Sequence, residues 1–186
     1  VSPTERGEGF IFDDAIVGGA IPRNFIPAVE RGITETMAGG VIAGYPVVDL
    51  KVRLHDGKFH DVDSSEMAFR IAARMAFKAA LRDSKARAVL LEPIVDVEVV
   101  VPEENMGDVM GDISSRRGHP MGMESRGKYQ CIRAQVPHSE MLRYSPDLRS
   151  MTGGRGDFVA QYSHYEEVPR DVAEKIIAQH DHEDEE

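Results

Sequence analysis

From Leu90 onward the apolar residues switch period in a fixed order, and few folds accept that order. Val95, Val97, Val99 and Val101 alternate with Asp96 and Glu98, the period of two that marks a strand with one buried face. Pro102 breaks the run. Met106, Val109, Met110 and Ile113 then follow helical spacing, which predicts an amphipathic helix over Glu103 to Arg117 ending at Gly118. A short strand is predicted at Met121 to Glu124 and a turn at Arg126-Gly127-Lys128. A second alternating strand follows at Cys131 to Val136, with Ile132, Ala134 and Val136 inward. Ser139 to Ser150 reads as one helix, Asp157 to Tyr165 as a strand, and Pro169 to Gln179 as a last helix with Val172, Ala173, Ile176 and Ile177 inward. The sum is β-α-β-β-α-β with one added helix. This is the split, ferredoxin-like arrangement, whose helices cover one face of an antiparallel sheet.

The first half carries a different unit. Val1 to Gly9 is polar and reads as a loop or strand end, and the absence of an initiator Met suggests a fragment. Phe10 to Phe12 is a short β-type run, and Asp13 to Pro22 reads as irregular or as a short strand around Ile16-Val17. Ile26 to Met37 reads as a helix, with Pro27 in its first turn and Gly39-Gly40 at its end. Val48, Leu50, Val52 and Leu54 alternate with Asp49, Lys51 and Arg53, predicting a half-buried strand with a basic outer face. His55-Asp56-Gly57-Lys58 reads as a tight turn. Asp63 and Glu66 have the spacing of a capping box, and Ser64-Ser65 reads as capping rather than nucleophilic. Met67, Ile71 and Met75, beside a line of alanines, form the apolar stripe of a long helix. A histidine-bearing tip braced by a helix suits insertion into a partner.

Bulk numbers narrow the classes. At 186 residues and 41% hydrophobic, the chain can build one larger or two small cores. No apolar run is long enough to span a membrane, and no basic-then-apolar leader is seen, so a cytoplasmic protein is expected. The single Cys131 allows no internal disulfide and reads as structural. Net charge is −10, which argues against indiscriminate nucleic-acid binding. Five acids lie in the last six residues, which read as a solvated, disordered tail, and without them the charge is −5. Local clusters then matter: Arg116-Arg117, Arg126 with Lys128, and Lys51 with Arg53.

Catalytic signatures are sparse. No G-x-x-x-x-G-K-[ST] run, C-x-x-C or H-E-x-x-H occurs, which leaves no phosphate loop of that type and little support for zinc. Gly153-Gly154-Arg155-Gly156 precedes a strand rather than a helix, so it reads as a bend or a backbone contact with RNA. His55, His60 and Asp61 admit a metal or acid-base reading. Nucleic-acid contact by the tip and a plain solvated turn are the alternatives to it. A module docking protein on its open sheet face is a further class, and it requires an apolar patch there.

Several stretches together carry a resemblance: Ala15 to Pro22 (AIVGGAIP), His55 to Phe69 (HDGKFHDVDSSEMAF), Leu91 to Ile94 (LEPI), Pro102 to Gly118 (PEENMGDVMGDISSRRG) and Asp147 to Phe158 (DLRSMTGGRGDF). In this order and spacing they resemble bacterial-type translation elongation factor G. The resemblance implies an α+β chain: residues 1–90 as part of a fourth, ribosomal-protein-S5-like α/β domain, 91–180 as a ferredoxin-like fifth domain, and 181–186 as the tail. It implies a ribosome-engaging C-terminal fragment of a translocation GTPase, with GTP and Mg bound elsewhere in the full protein and no cofactor or catalytic residue in this part. The tip His55, Asp56, Gly57, Lys58, Phe59 and His60 would enter the small-subunit decoding centre and meet the tRNA–mRNA duplex. His60, with Lys58 and His55, would reach phosphate or 2′-hydroxyl groups. Arg116, Arg117, Arg126 and Lys128 are candidates for large-subunit rRNA, on charge grounds. A recycling-type paralogue is the alternative within the family. The family's upstream Gly-rich tip loop and first strands are missing here. The chain is therefore expected to be a monomer with a sheet edge open to pairing.

Overall fold

The structure, a computed structural model, describes residues 1–83, 86 and 88–183. The chain is α+β and divides into two compact units, residues 1–88 with 170–186, and residues 89–169. Arg82 to Arg87, whose sequence reads as a polar connection after the long helix, and the end of the acidic tail fall partly outside the described residues.

In the second unit, strand β4 (Leu91–Pro102) is central, flanked by β6 (Tyr129–Pro137) and β7 (Asp157–Glu167), with β5 (His119–Arg126) beyond β6. All pairs are antiparallel, and the order β5-β6-β4-β7 is the ferredoxin-like one. Val95, Val97, Val99 and Val101 are buried against Ile132, Ala134 and Val136, as their alternation requires. Helix α3 (Met106–Ser115) covers them with Val109 and Ile113. The opposite face is polar: Arg133 donates to Glu98 at 3.0 Å and Glu124 at 3.2 Å, and Gln135 to Asp96 at 2.9 Å. The face is a ladder of polar and charged pairs with Val159 exposed beside Glu98, not the contiguous apolar patch a protein-docking face requires.

The single helix expected at Ser139 to Ser150 is two, α4 (His138–Met141) and α5 (Tyr144–Thr152). Pro146 explains the break. In a continuous helix its missing N–H would leave Leu142 O unbonded and its ring would strike that carbonyl, whereas the first turn of a new helix tolerates it.

In the first unit, β2 (Phe10–Asp14) and β3 (Leu50–Leu54) run parallel, joined through helix α1 (Ile26–Gly39). The two-residue β1 (Ser2–Pro3) pairs antiparallel on the other side of β3. Leu50 and Val52 point into the core, but Val48 lies outside the strand and is exposed. Asp49 stands between them at φ 55°, held there by its carboxylate, which accepts from Gly9 N at 2.9 Å. Helix α2 (Glu66–Arg82) packs on α1, and the approach is close enough that Gly32 of α1 lies against the backbone carbonyl of Arg70. Helix α6 (Arg170–Glu183) groups with this unit, where the His180 ring lies against Gly44. Its backbone stays helical to Glu183, past the predicted start of the tail.

The α2 stripe corrects the sequence expectation. Met67, Ile71 and Met75 are 58%, 47% and 68% exposed, whereas Phe69, Ala73, Phe77 and Leu81 are buried. The two lines are two residues apart, about 200° around the helix. The aromatic face wins the core because its rings bury the larger apolar area and Phe69 stacks on Phe25 at 4.9 Å. The serine capping reading holds, but the Asp63–Glu66 capping box does not form. Ser65 is the N-cap, its Oγ accepting from Ala68 N at 3.1 Å, and Asp63 takes no part.

Candidate nucleic-acid interface

Parallel pairing decides where the functional loops lie. Asp14 is opposite Leu54 in register, so the chain leaves β2 and β3 at the same end of the unit. His55 to His60 therefore runs beside the segment from Ala15 to Phe25. The stretch is not the tight turn predicted from Asp-Gly: residues 55–60 form no turn, and Gly57 does not have a positive φ. Glycine is required there for space. A Cβ at Gly57 would stand 2.5 Å from Ile21 Cδ1, and Ile21 is buried.

The loop is anchored from beneath and bare above. Phe59 packs on Phe25 at 5.8 Å between ring centroids, and Phe25 on Phe69, so an aromatic row ties the loop to the α1–α2 core. His60 N donates to Ser64 Oγ at 2.9 Å, and Ser64 N donates back to His60 O at 3.0 Å. Outward, His55, Asp56, Lys58 and His60 are exposed. His60 Nδ1 lies 3.6 Å from Asp63, both largely in solvent, while the Lys58 and His55 side chains have no partner among the described residues. Donor groups held on a braced backbone and not consumed internally are what recognition of a phosphate-sugar chain needs. Among the described residues no group of His, Cys, Asp and Glu is placed to hold a metal ion.

The other basic residues differ sharply in what they are free to do. Lys51 and Arg53 both reach Asp13 on the neighbouring strand, at 3.1 and 3.0 Å. These contacts, Lys51's hydrogen bond first, hold the Asp13 carboxyl below its ordinary pKa. Arg116 lies over the Tyr144 ring at 5.0 Å, donates to Asp112 and to Glu140 O at 2.8 Å each, and pairs with Asp147. Arg117 sits at φ 60° at the end of α3, where Glu92 clasps it through both oxygens at 2.6 and 2.9 Å and Glu140 adds a third contact. Side-chain hydrogen bonds to Asp112 and to Glu92, respectively, raise both guanidinium pKa values. These arginines staple α3 to its neighbours. Among the described residues Arg126 touches only Glu124, at 3.4 Å, and Lys128 is exposed and without a side-chain partner, so neither cation is held in an ion-pair network like those of Arg116 and Arg117.

Sequence reasoning passed over one region. A cleft of about 480 Å³ opens at the same end as the loop, lined by Asp14, Ile16, Gly18, Gly19, Ile21, Arg23, Ile26 and Pro27. Arg23 is exposed and unpaired among the described residues. Its significance depends on the parallel register of β2 and β3, which periodicity does not reveal.

Residues 1–85 match the family model for elongation factor G, domain IV, and residues 89–176 match that for the elongation factor G C-terminus. The chain belongs to the elongation factor G family. Domain IV is thus the unit that carries the exposed loop, and the C-terminal match covers the antiparallel sheet. A crystal structure of a protein from Thermus thermophilus is similar at 40% identity and a TM-score of 0.76, over 97% of this chain. The chain spans only 26% of that protein. Among the described residues no helix is long and apolar enough to cross a membrane.

Proposed function

We propose that this chain is the ribosome-engaging part of a translocation factor whose GTPase region lies elsewhere in the full protein. The observation that carries the reading is the His55–His60 loop: exposed, rich in unconsumed donors, and anchored through Phe59 to the core of a domain IV unit. A stiff support with bare donors can bear on a nucleic-acid backbone without collapsing when loaded. In this reading the loop enters the small-subunit decoding centre and meets the tRNA–mRNA duplex. There His60 and Lys58 donate to phosphate or 2′-hydroxyl oxygens and oppose backward slippage. The C-terminal unit meets large-subunit rRNA through Arg126 and Lys128, and Arg116 and Arg117 support that surface from within rather than touching RNA. GTP and Mg belong to the rest of the full protein, which works in the cytoplasm.

The test is a reconstituted translocation assay with the full-length protein. His60→Ala is expected to slow translocation at least tenfold while ribosome-stimulated GTP hydrolysis stays within about twofold of wild type. That drop corresponds to about 1.4 kcal/mol, the scale of one charge-assisted hydrogen bond. Translocation at the wild-type rate would remove the loop from the mechanism. A factor that splits post-termination ribosomes but does not translocate would place the chain in the recycling branch.

A further inference from the structure

The cleft beside the loop has a chemistry of its own. Arg23 supplies an exposed guanidinium with no partner among the described residues. Asp14 accepts from Ile16 N at 3.1 Å through Oδ1, which leaves Oδ2 available. Ile16, Ile21, Ile26 and Pro27 supply the apolar part of a mixed lining. Gly18 and Gly19 hold φ of 70° and 73°, and a Cβ on either would meet nothing within 4 Å. These glycines serve the backbone path and leave it bare toward the cleft, where a ligand chain can approach closely.

One cation and one carboxylate in a cleft of mixed polar and apolar lining select a ligand carrying one phosphate and one hydroxyl donor. The carboxylate repels a second phosphate, and the guanidinium binds the first with fork geometry. A ribonucleotide unit of a single strand fits both demands. We propose that this cleft is a second RNA contact at the same end of the unit, with Arg23 on a backbone phosphate and Asp14 accepting from the 2′-hydroxyl of the same strand. It rests on the reading that this end of the unit meets RNA. It adds to that reading a means of telling RNA from DNA, since only RNA offers the hydroxyl donor.

The experiment is an NMR titration of the ¹⁵N-labelled chain with a uridine hexaribonucleotide and with its deoxy counterpart. Amides of Gly18, Gly19 and Arg23 are expected to shift with the ribo-oligomer and less with the deoxy one. Arg23→Gln should weaken binding roughly tenfold and reduce the log–log salt slope by about 0.7. Asp14→Asn should erase the preference for RNA. The spectra themselves report whether each variant is folded. Lys58→Gln reads the loop separately. If Lys58→Gln weakens binding and Arg23→Gln does not, the cleft proposal is wrong and the loop reading stands. The opposite pattern keeps the cleft and removes the loop. If no amide at this end shifts with either oligomer, both are overturned.

Discussion

Gly32→Ala is the sharpest test of how the loop is braced. In an exposed helix interior this change stabilises by about 0.8–1.0 kcal/mol, because glycine loses the larger backbone entropy on folding. Gly32 is not exposed: it is buried where α1 meets α2. A Cβ there would overlap the Arg70 carbonyl oxygen and lie 3.2 Å from the Arg70 carbonyl carbon and Cα. Those are backbone atoms, so no rotamer change relieves the overlap, and the two helices must separate on the order of an ångström. Such overpacking costs about 1–3 kcal/mol. Because it cannot relax locally, we place it at the upper end and expect a net loss of about 2 kcal/mol after the propensity gain. Gly39, at the end of the same helix, meets nothing within 4 Å, so Gly39→Ala is the matched control and should be neutral or stabilising. The chain has two units, and one denaturation midpoint does not isolate the first. Hydrogen exchange of the buried Ile33 and Met37 amides does. Gly32→Ala should speed their exchange about thirtyfold, while Gly39→Ala leaves it unchanged or slower. If Gly32→Ala slows exchange as well, the helices do not meet through this glycine.

Gly57→Ala should destabilise the unit by about 1 kcal/mol through its collision with Ile21. Shortening the partner in Gly57→Ala/Ile21→Val should recover part of that loss, so hydrogen exchange of first-unit core amides showing simple additivity would count against a steric role for this glycine. Phe77→Ala should cost about 3–5 kcal/mol, and Met75→Lys, on the exposed face of α2, less than about 0.5 kcal/mol; equal losses in exchange protection would restore Met75 to the core. Backbone hydrogen bonds from Gly7 and Gly9 hold the Asp49 carboxyl below its ordinary pKa. Its contribution is therefore full above the unfolded-state value and lost as pH falls through the depressed folded value, and Asp49→Asn should flatten that acid limb of the stability curve.

The antiparallel unit was readable from sequence because its two inner strands, β4 and β6, each have a buried face, so alternation and pairing register are one constraint there. Val95 to Val101 against Ile132 to Val136 is the clearest case. Alternation failed where the chain meets a neighbour that periodicity cannot see. On α2 both sides carry apolar residues, and only the aromatic row through Phe25 decides that Phe69 and Phe77 go inward and the methionines outward. At Gly57 the dipeptide suggested a turn, but a buried isoleucine from another segment sets the need for glycine. The same blindness hid the charges. Arg116 and Arg117 read as a basic patch until Asp112, Glu92, Glu140 and Asp147 are brought to them by the fold. Lys58 reads the same way in sequence and keeps its charge unpaired among the described residues. An arginine clasped by two acids is poorly placed to bind RNA, because each phosphate contact must first displace a charge-assisted bond worth about 1.5–3 kcal/mol. Net charge therefore says little about this chain's interface. The cations free to bind are those for which the fold supplies no acid, and at this end of the first unit these are, among the described residues, Lys58 and Arg23.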